Sequence, residues 1–400
     1  MGKGYPPSAV TASWKSYFRG VACVKCGTVH SADVPRNLSP CCDSILFAKY
    51  DLANISSGVK KDIFAQRAKG MWKFHELLPL ASPEHMVSLG EGGTPLIPLP
   101  KMARKLGFKE ILLKEEGGNP TGTFKARGAS VGISMIKQLG IRKLTLPTSG
   151  NAGTAWAAYS ARAGIDLHLA IPCDTSPETQ KEFQLYGANM DLVEGTIFEA
   201  EEVSARASRE NGRFDVTHFK EPYRVEGKKT IAFEVAQQCQ WHLPDVVVYP
   251  TGGGIGPVGF WKGVSELLEL GWVDHPVRVI IVQASGCAPL VKAFQEGKTQ
   301  SEYWKGADTI AKGLCTPKTH SDFLILQVLR ETGGVAIAVS DGEILEMLWE
   351  LGKLEGIFGC PEGMASLAAL PNLLKEGAIR PEEQVLLVNT GTGLKYHKYL

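Results

Sequence analysis

Residues 119–128 read Asn119, Pro120, Thr121, Gly122, Thr123, Phe124, Lys125, Ala126, Arg127, Gly128, a tight turn that delivers a lysine. Pro120 fixes one φ, and Gly122 accepts the geometry that the turn needs. The chain then becomes helix-compatible, with Thr123 as the expected N-cap and Lys125 in the first turn. The positive end of a helix dipole disfavours an ammonium at that place and favours the neutral amine. A neutral lysine amine is a nucleophile and forms Schiff bases with carbonyl compounds. Alone, the stretch reads better as a surface lysine in a helix cap. Three glycine-rich turns further along reverse that reading.

The most informative of them is Thr251, Gly252, Gly253, Gly254, Ile255, Gly256, between an apolar run over 245–250 and a helical pattern over 257–270. Without side chains in the way, the backbone N–H groups of such a loop converge on a phosphate at the helix start. The loop lacks the Gly-Lys-Ser/Thr ending of a P-loop and misses the spacing of the dinucleotide fingerprint. With a Schiff-base lysine upstream, it points to a phosphorylated aldehyde cofactor. A second turn, Thr148, Ser149, Gly150, Asn151, Ala152, Gly153, carries amide and hydroxyl donors suited to a carboxylate. A ligand-free strand–helix connection explains it equally well. The third, Thr390, Gly391, Thr392, Gly393, offers a hydroxyl to a heterocycle nitrogen, or is an ordinary turn at a strand end.

Lys220, Arg224, Lys228 and Lys229 lie close together in sequence. They suit a second anion site, as a phosphorylated substrate requires, or else form a solvated helix end. Nine cysteines are present. Cys23 and Cys26 have the two-residue gap of half a zinc knuckle, but the other half is the adjacent pair Cys41 and Cys42. Neighbouring cysteines do not easily turn both sulfurs to one ion, so a metal-free remnant is expected over a filled zinc site. Any metal there would be structural. The remaining five are dispersed, as in a reduced cytosolic enzyme.

Several elements must position these groups. The chain has 400 residues, 44% hydrophobic and 21% charged, with net charge +1. That balance fits a folded globular protein and gives no electrostatic argument for nucleic acid or an anionic membrane. No apolar run is long enough for a membrane span, and no signal peptide opens the chain. An arm is expected over residues 1 to about 20 and an amphipathic helix over 60–80. Strands are expected over 110–114, 143–147, 167–171, 190–194 and 245–250, with helices between them. Such alternation means parallel strands joined by crossover helices, with ligands where strand carboxyl ends meet helix amino ends.

With its motifs in this order, the sequence resembles the pyridoxal-phosphate enzymes of the tryptophan synthase β fold, and among them the threonine synthases. The resemblance covers about residues 85–398. It rests on Glu91 to Pro95, Asn119 to Lys125, Ser149 to Asn151, Gly252 to Gly256, Glu355 to Phe358 and Thr390 to Gly393. It implies an α/β, fold type II enzyme with two doubly wound parallel-sheet domains and pyridoxal phosphate in the cleft between them. The N-terminal arm and ribbon-like cysteine segment would span 1–60, the large domain 61–111 and 217–400, and the small domain 112–216. It implies Lys125 as the Schiff-base lysine, Gly252, Gly253, Gly254, Ile255 and Gly256 around the cofactor phosphate, Asn151 at the ring hydroxyl and Thr390 at the ring nitrogen. Thr148 and Ser149 would face the substrate carboxylate, and Arg224 a substrate phosphate. The segment before Arg224, with Thr217, His218 and Phe219, differs from the asparagine-bearing form usual in that family. The reaction implied converts O-phospho-L-homoserine and water to L-threonine and phosphate, in a cytoplasmic homodimer. The alternatives are a threonine or serine dehydratase or ammonia-lyase, and a cysteate-synthase-like enzyme acting on a phosphoserine-type substrate.

Overall fold

A computed structural model describes residues 14–400; most of the arm expected over 1 to about 20 lies outside the described residues. The first sheet is small and antiparallel, ordered β2-β1-β3, from Phe18–Cys23 (β1), Val29–His30 (β2) and Leu46–Tyr50 (β3). The single amphipathic helix expected over 60–80 is instead a short helix, Ile63–Gln66, and an irregular 3₁₀ stretch, Met71–Leu77. Gly70 separates them at φ 125. Met71, Trp72, Phe74, His75, Glu76 and Leu77 are all buried, so this segment has no polar face for a regular helix to turn to solvent.

Leu96–Pro98 (β4) and Glu110–Glu115 (β5) start the largest sheet. The chain then leaves to build a four-stranded parallel sheet from Lys143–Pro147 (β6), Asp166–Pro172 (β7), Asn189–Val193 (β8) and Phe214–Asp215 (β9), in the order β8-β7-β6-β9. It returns with Val246–Pro250 (β10), Arg278–Ala284 (β11), Ala336–Val339 (β12) and Gln384–Asn389 (β13). These complete a six-stranded sheet, β12-β11-β10-β13-β5-β4, parallel except for its β4 edge. Every residue of β10 is buried, as a strand covered on both faces demands. Val247 and Tyr249 join the layer of Ile231, Val258 and Phe260, while Val246 and Val248 face Met364 and Leu370.

Each parallel sheet has one point where strand order reverses, between β10 and β13 in the large sheet and between β6 and β9 in the small one. Crevices form at such points, outside the strand carboxyl ends. The residues there are Thr251–Gly254 and Thr390–Thr392 on one side, Thr148–Asn151 and Val216–His218 on the other. We propose two domain units that exchange near residues 115 and 216, since β5 pairs with β13 from Glu110 to Glu115.

The helix Arg224–Gln238 runs through the middle of the molecule, buried from Arg224 to Ala236. Its cations are therefore not a solvated helix end. Lys229 pairs with Glu226 at 2.6 Å and Glu266 at 2.8 Å, and Lys220, just before the helix, pairs with Glu201 and Asp215 at 3.3 Å each.

Candidate active site

Lys125 opens the helix Lys125–Gln138 with Phe124, not Thr123, as its N-cap residue and no side-chain cap. The Thr123 hydroxyl is buried without a partner. The turn before it holds Thr121 at φ 64, a costly conformation for a threonine. Two features fix the lysine. Phe124 N–H donates to Thr390 C=O at 2.9 Å, tying the turn to the end of β13. Two residues on, Arg127 is wholly buried and grips Glu116 and Glu234, with four N–H···O contacts of 2.6–2.7 Å. Lys114 joins this cluster, 2.9 Å from Glu234.

The Lys125 amine is lowered to about 8, by burial first and then by the charge of Arg224, against the opposing pull of Glu362. Near neutrality it can therefore carry or release a proton, which an ordinary lysine cannot. Lys228 also lies close, 3.9 Å above the Phe124 ring and donating to the Phe124 carbonyl.

The N–H groups of Gly252 through Gly256 meet no acceptor among the described residues. They cluster at the start of the helix Ile255–Glu269, where backbone dipoles favour an anion. The glycines are required at two places. A β-carbon at Gly252 would lie 2.6 Å from the Gly313 carbonyl oxygen, and Gly254 adopts φ 83 with Ile325 packed where its side chain would go.

Arg224 lies beneath the cleft, 4.6 Å from the Trp156 ring centroid, and donates one bond to Val216 C=O. Its Nε is buried without a hydrogen bond, 3.7 Å from Glu221. Burial lowers its pKa to about 10. Asn151 gives an amide hydrogen to Tyr396 Oη at 3.1 Å, and Tyr396 donates in turn to Glu362 at 2.9 Å. Thr390 Oγ1 lies 3.6 Å from Cys360 Sγ. Thr148 is turned inward, its hydroxyl accepting the N–H groups of Gly150 and Gly153, while Ser149 is exposed. The two sides are bridged at the mouth by Lys395–Glu182 at 2.8 Å and His320–Glu201 at 2.9 Å.

Of two further residues here, Glu362 received no role from the sequence, and His218 stood out only within a segment that departs from the family pattern. Glu362 is 5% exposed, with Oε1 bonded to Gly313 N–H and Tyr396 and with Oε2 unpartnered. A charge in the otherwise apolar run 357–370 was its signal. His218 packs against Gly253 and stands six residues before Arg224.

The expected obstacle to a metal among the adjacent cysteines does not hold. The chain turns sharply at Cys41–Asp43, with Asp43 N–H bonded to Ser39 C=O and Asp43 at φ 47. The ligand atoms of Cys23, Cys26, Cys41 and Cys42 all lie within 4.8 Å of one another, Cys26 and Cys41 at 3.3 Å. A tetrahedral zinc with Zn–S of ~2.3 Å needs sulfurs about 3.8 Å apart, which this cluster brackets. All nine cysteines are free thiols.

The chain belongs to the pyridoxal-phosphate dependent enzyme family, which matches residues 87–391. Its relatives include the threonine synthase of Methanocaldococcus jannaschii, 34% identical over 375 residues, 93% of this chain and 92% of that one. The threonine synthase of Methanosarcina acetivorans is 32% identical over 93% of this chain and 91% of its own length. Maize serine racemase has the same fold, with a TM-score of 0.67 over 76% of this chain and 91% of that one, at 22% identity. The architecture is thus fold type II, with an added cysteine-bearing sheet. No helix among the described residues is long and apolar enough to cross a membrane.

Proposed function

We propose that this protein is a threonine synthase, converting O-phospho-L-homoserine and water to L-threonine and phosphate. The observation that carries this reading is Arg224, a buried guanidinium with a free donor beside Lys125. A phosphorylated substrate needs such a second anion site; a dehydratase of serine or threonine has no use for one.

The residues present fit pyridoxal phosphate. Five acceptor-free N–H groups suit its phosphate, and a lysine near neutrality suits its aldehyde. When bound, the cofactor supplies an electron sink that makes protons at the substrate α- and β-carbons removable. Gly252, Gly253, Gly254, Ile255 and Gly256 would hold its phosphate, Asn151 its ring hydroxyl and Thr390 its ring nitrogen. The neutral Thr390 hydroxyl leaves proton movement chiefly to Lys125, whose amine takes a proton at Cα and at Cβ, returns one at Cγ after phosphate has left, and returns one at Cα once Cβ has been hydrated. Water then adds at Cβ. Thr148 and Ser149 frame the substrate carboxylate through their turn's backbone donors, and Arg224 grips the leaving phosphate with its planar fork. A structural zinc ion in the four-cysteine cluster, a homodimer and a cytoplasmic location complete the proposal.

The test is product analysis with O-phosphohomoserine, O-phosphoserine, threonine and serine offered separately to the cofactor-loaded protein. Threonine and phosphate should form from the first alone. Arg224→Ala should weaken binding of O-phosphohomoserine by ~10² or more with cofactor absorbance intact, and Arg224→Lys should restore it only in part. Deamination of threonine with O-phosphohomoserine ignored would replace this reading with the dehydratase.

A further inference from the structure

His218 follows the end of β9, at the strand-order reversal of the small sheet, and faces the glycine loop across the cleft. A β-carbon placed on Gly253 would lie 3.3 Å from its Nε2 and 3.4 Å from its Cδ2, so the ring lies directly against that loop. Phe219, the next residue, sits at φ 54, a left-handed turn that sets the exit of the chain from this position. The residue is half-buried, and neither ring nitrogen makes a hydrogen bond among the described residues. Nearly every other histidine of the body is tied to a neighbour: His75 to Lys15 C=O, His168 to Asp191, His275 to Leu243 C=O, His320 to Glu201. Both ends of the Asp215–Lys220 segment are clamped from outside, because Asn37 Nδ2 donates to Asp215 C=O at 2.5 Å and Lys220 C=O at 2.8 Å. The segment is braced and its imidazole is left free.

Burial, then the charges of Arg224 and Lys125, lower His218 to about 3, with Glu201 opposing and His320 adding slightly. Before substrate binds, the ring is therefore a neutral imidazole facing cations. A phosphate dianion placed among Arg224, Lys125 and His218 reverses the local sign and draws a proton onto the ring.

We propose that His218 contacts the phosphate of the substrate and supplies the proton with which that phosphate departs. The inference rests on the phosphorylated-substrate reading above. A phosphate monoester dianion that loses its Cγ–O bond without a proton would leave as a trianion. In the proposed step the Cγ–O electron pair goes to the bridging oxygen, the Nε2 proton moves to that oxygen, and hydrogen phosphate leaves. The neutral imidazole regains its proton from solvent when the next dianion binds. Arg224 holds the group through its fork, and His218 corrects its charge as it leaves.

The test compares two leaving groups on the cofactor-loaded enzyme and its His218→Asn and His218→Phe variants: O-phosphohomoserine, and 2-amino-4-chlorobutanoate, whose chloride needs no proton. With O-phosphohomoserine, kcat should fall on the order of 10²-fold in both variants with KM changed far less, and the alkaline limb of the pH profile, which reports a group that must be protonated, should vanish. With the chloro compound the variants should stay close to the unmodified enzyme. Binding of inorganic phosphate to the unmodified enzyme should take up protons, and the variants should not. Equal losses on both substrates, or a loss of cofactor affinity in the variants, would place His218 in the cofactor cradle and overturn the proposal. Full activity of His218→Asn on O-phosphohomoserine would overturn it as well. An unmodified enzyme that ignores O-phosphohomoserine would instead remove the reading beneath it, a result recognisable without any variant.

Discussion

Lys125 illustrates how few groups set the chemistry of one residue. Its amine is pushed down by burial and by Arg224 and pulled up by Glu362, to about 8. Removing either charge should therefore move it in opposite directions. In cofactor-free protein, Arg224→Gln should raise the pH at which Lys125 becomes reactive to reductive methylation, and Glu362→Gln should lower it. Shifts of the same sign in the two variants would show that the charges act through a change of shape. Borohydride reduction of the loaded protein should fix the cofactor to Lys125 and to no other lysine. The neighbouring Lys228 is the internal control, because it is buried, lies close to Lys125 and has no carboxylate partner.

At the scale of elements, the Arg127 cluster fixes the start of the lysine helix against β5 and the central helix. Arg127 neutralises Glu116 and Glu234, both buried, and holds their carboxyls below the usual range. Removing one partner of such a cluster leaves unpaired buried charge and costs roughly 3–5 kcal/mol. Arg127→Met should show a loss of that order in urea unfolding at neutral pH. The pH dependence has a definite sign. In the unmodified protein these carboxylates contribute stability above the unfolded value of ~4.3, and it is lost as pH falls through their lower folded values. In Arg127→Met the buried carboxyls titrate above the unfolded value, so the folded state binds protons first. The gap between the two proteins should accordingly narrow from pH 7 to pH 5. A constant gap would mean that the arginine contributes packing and not charge.

For the whole molecule, the cysteine-bearing sheet is joined to the catalytic body at two kinds of contact. Tyr50 donates to Glu226 at 2.8 Å and lies under Lys229, while Asn37, between Cys26 and Cys41, clamps the segment that carries His218. One zinc per chain is expected by elemental analysis, lost in Cys26→Ser together with a fall in Tm. Asn37→Ala removes two hydrogen bonds at the clamp and should raise KM for O-phosphohomoserine roughly tenfold, with zinc content and cofactor absorbance unchanged. An unaltered KM would confine the sheet to a stabilising role.

Much of this was legible along the chain because the information is local. Proline, glycine and threonine around Lys125 mark a turn, and short apolar runs mark β6, β7 and β10, which are buried along most of their length. The loop Gly252–Gly256 could be read as a run of free backbone N–H groups at a helix start because that is a property of consecutive residues. Other features depend on segments far apart in sequence. The expected helix over 60–80 is broken at Gly70, and from Met71 onward tertiary burial on nearly every side overrode its periodicity. The adjacent Cys41 and Cys42 reach one cluster only through the fold of their turn. Whether Arg224, Lys220, Lys228 and Lys229 are solvated or buried depends on Glu201, Glu226, Glu266 and the Phe124 carbonyl, none of which their spacing reveals. His218 and Glu362 acquire meaning from what they face, since burial and neighbouring charge are set by packing across the cleft.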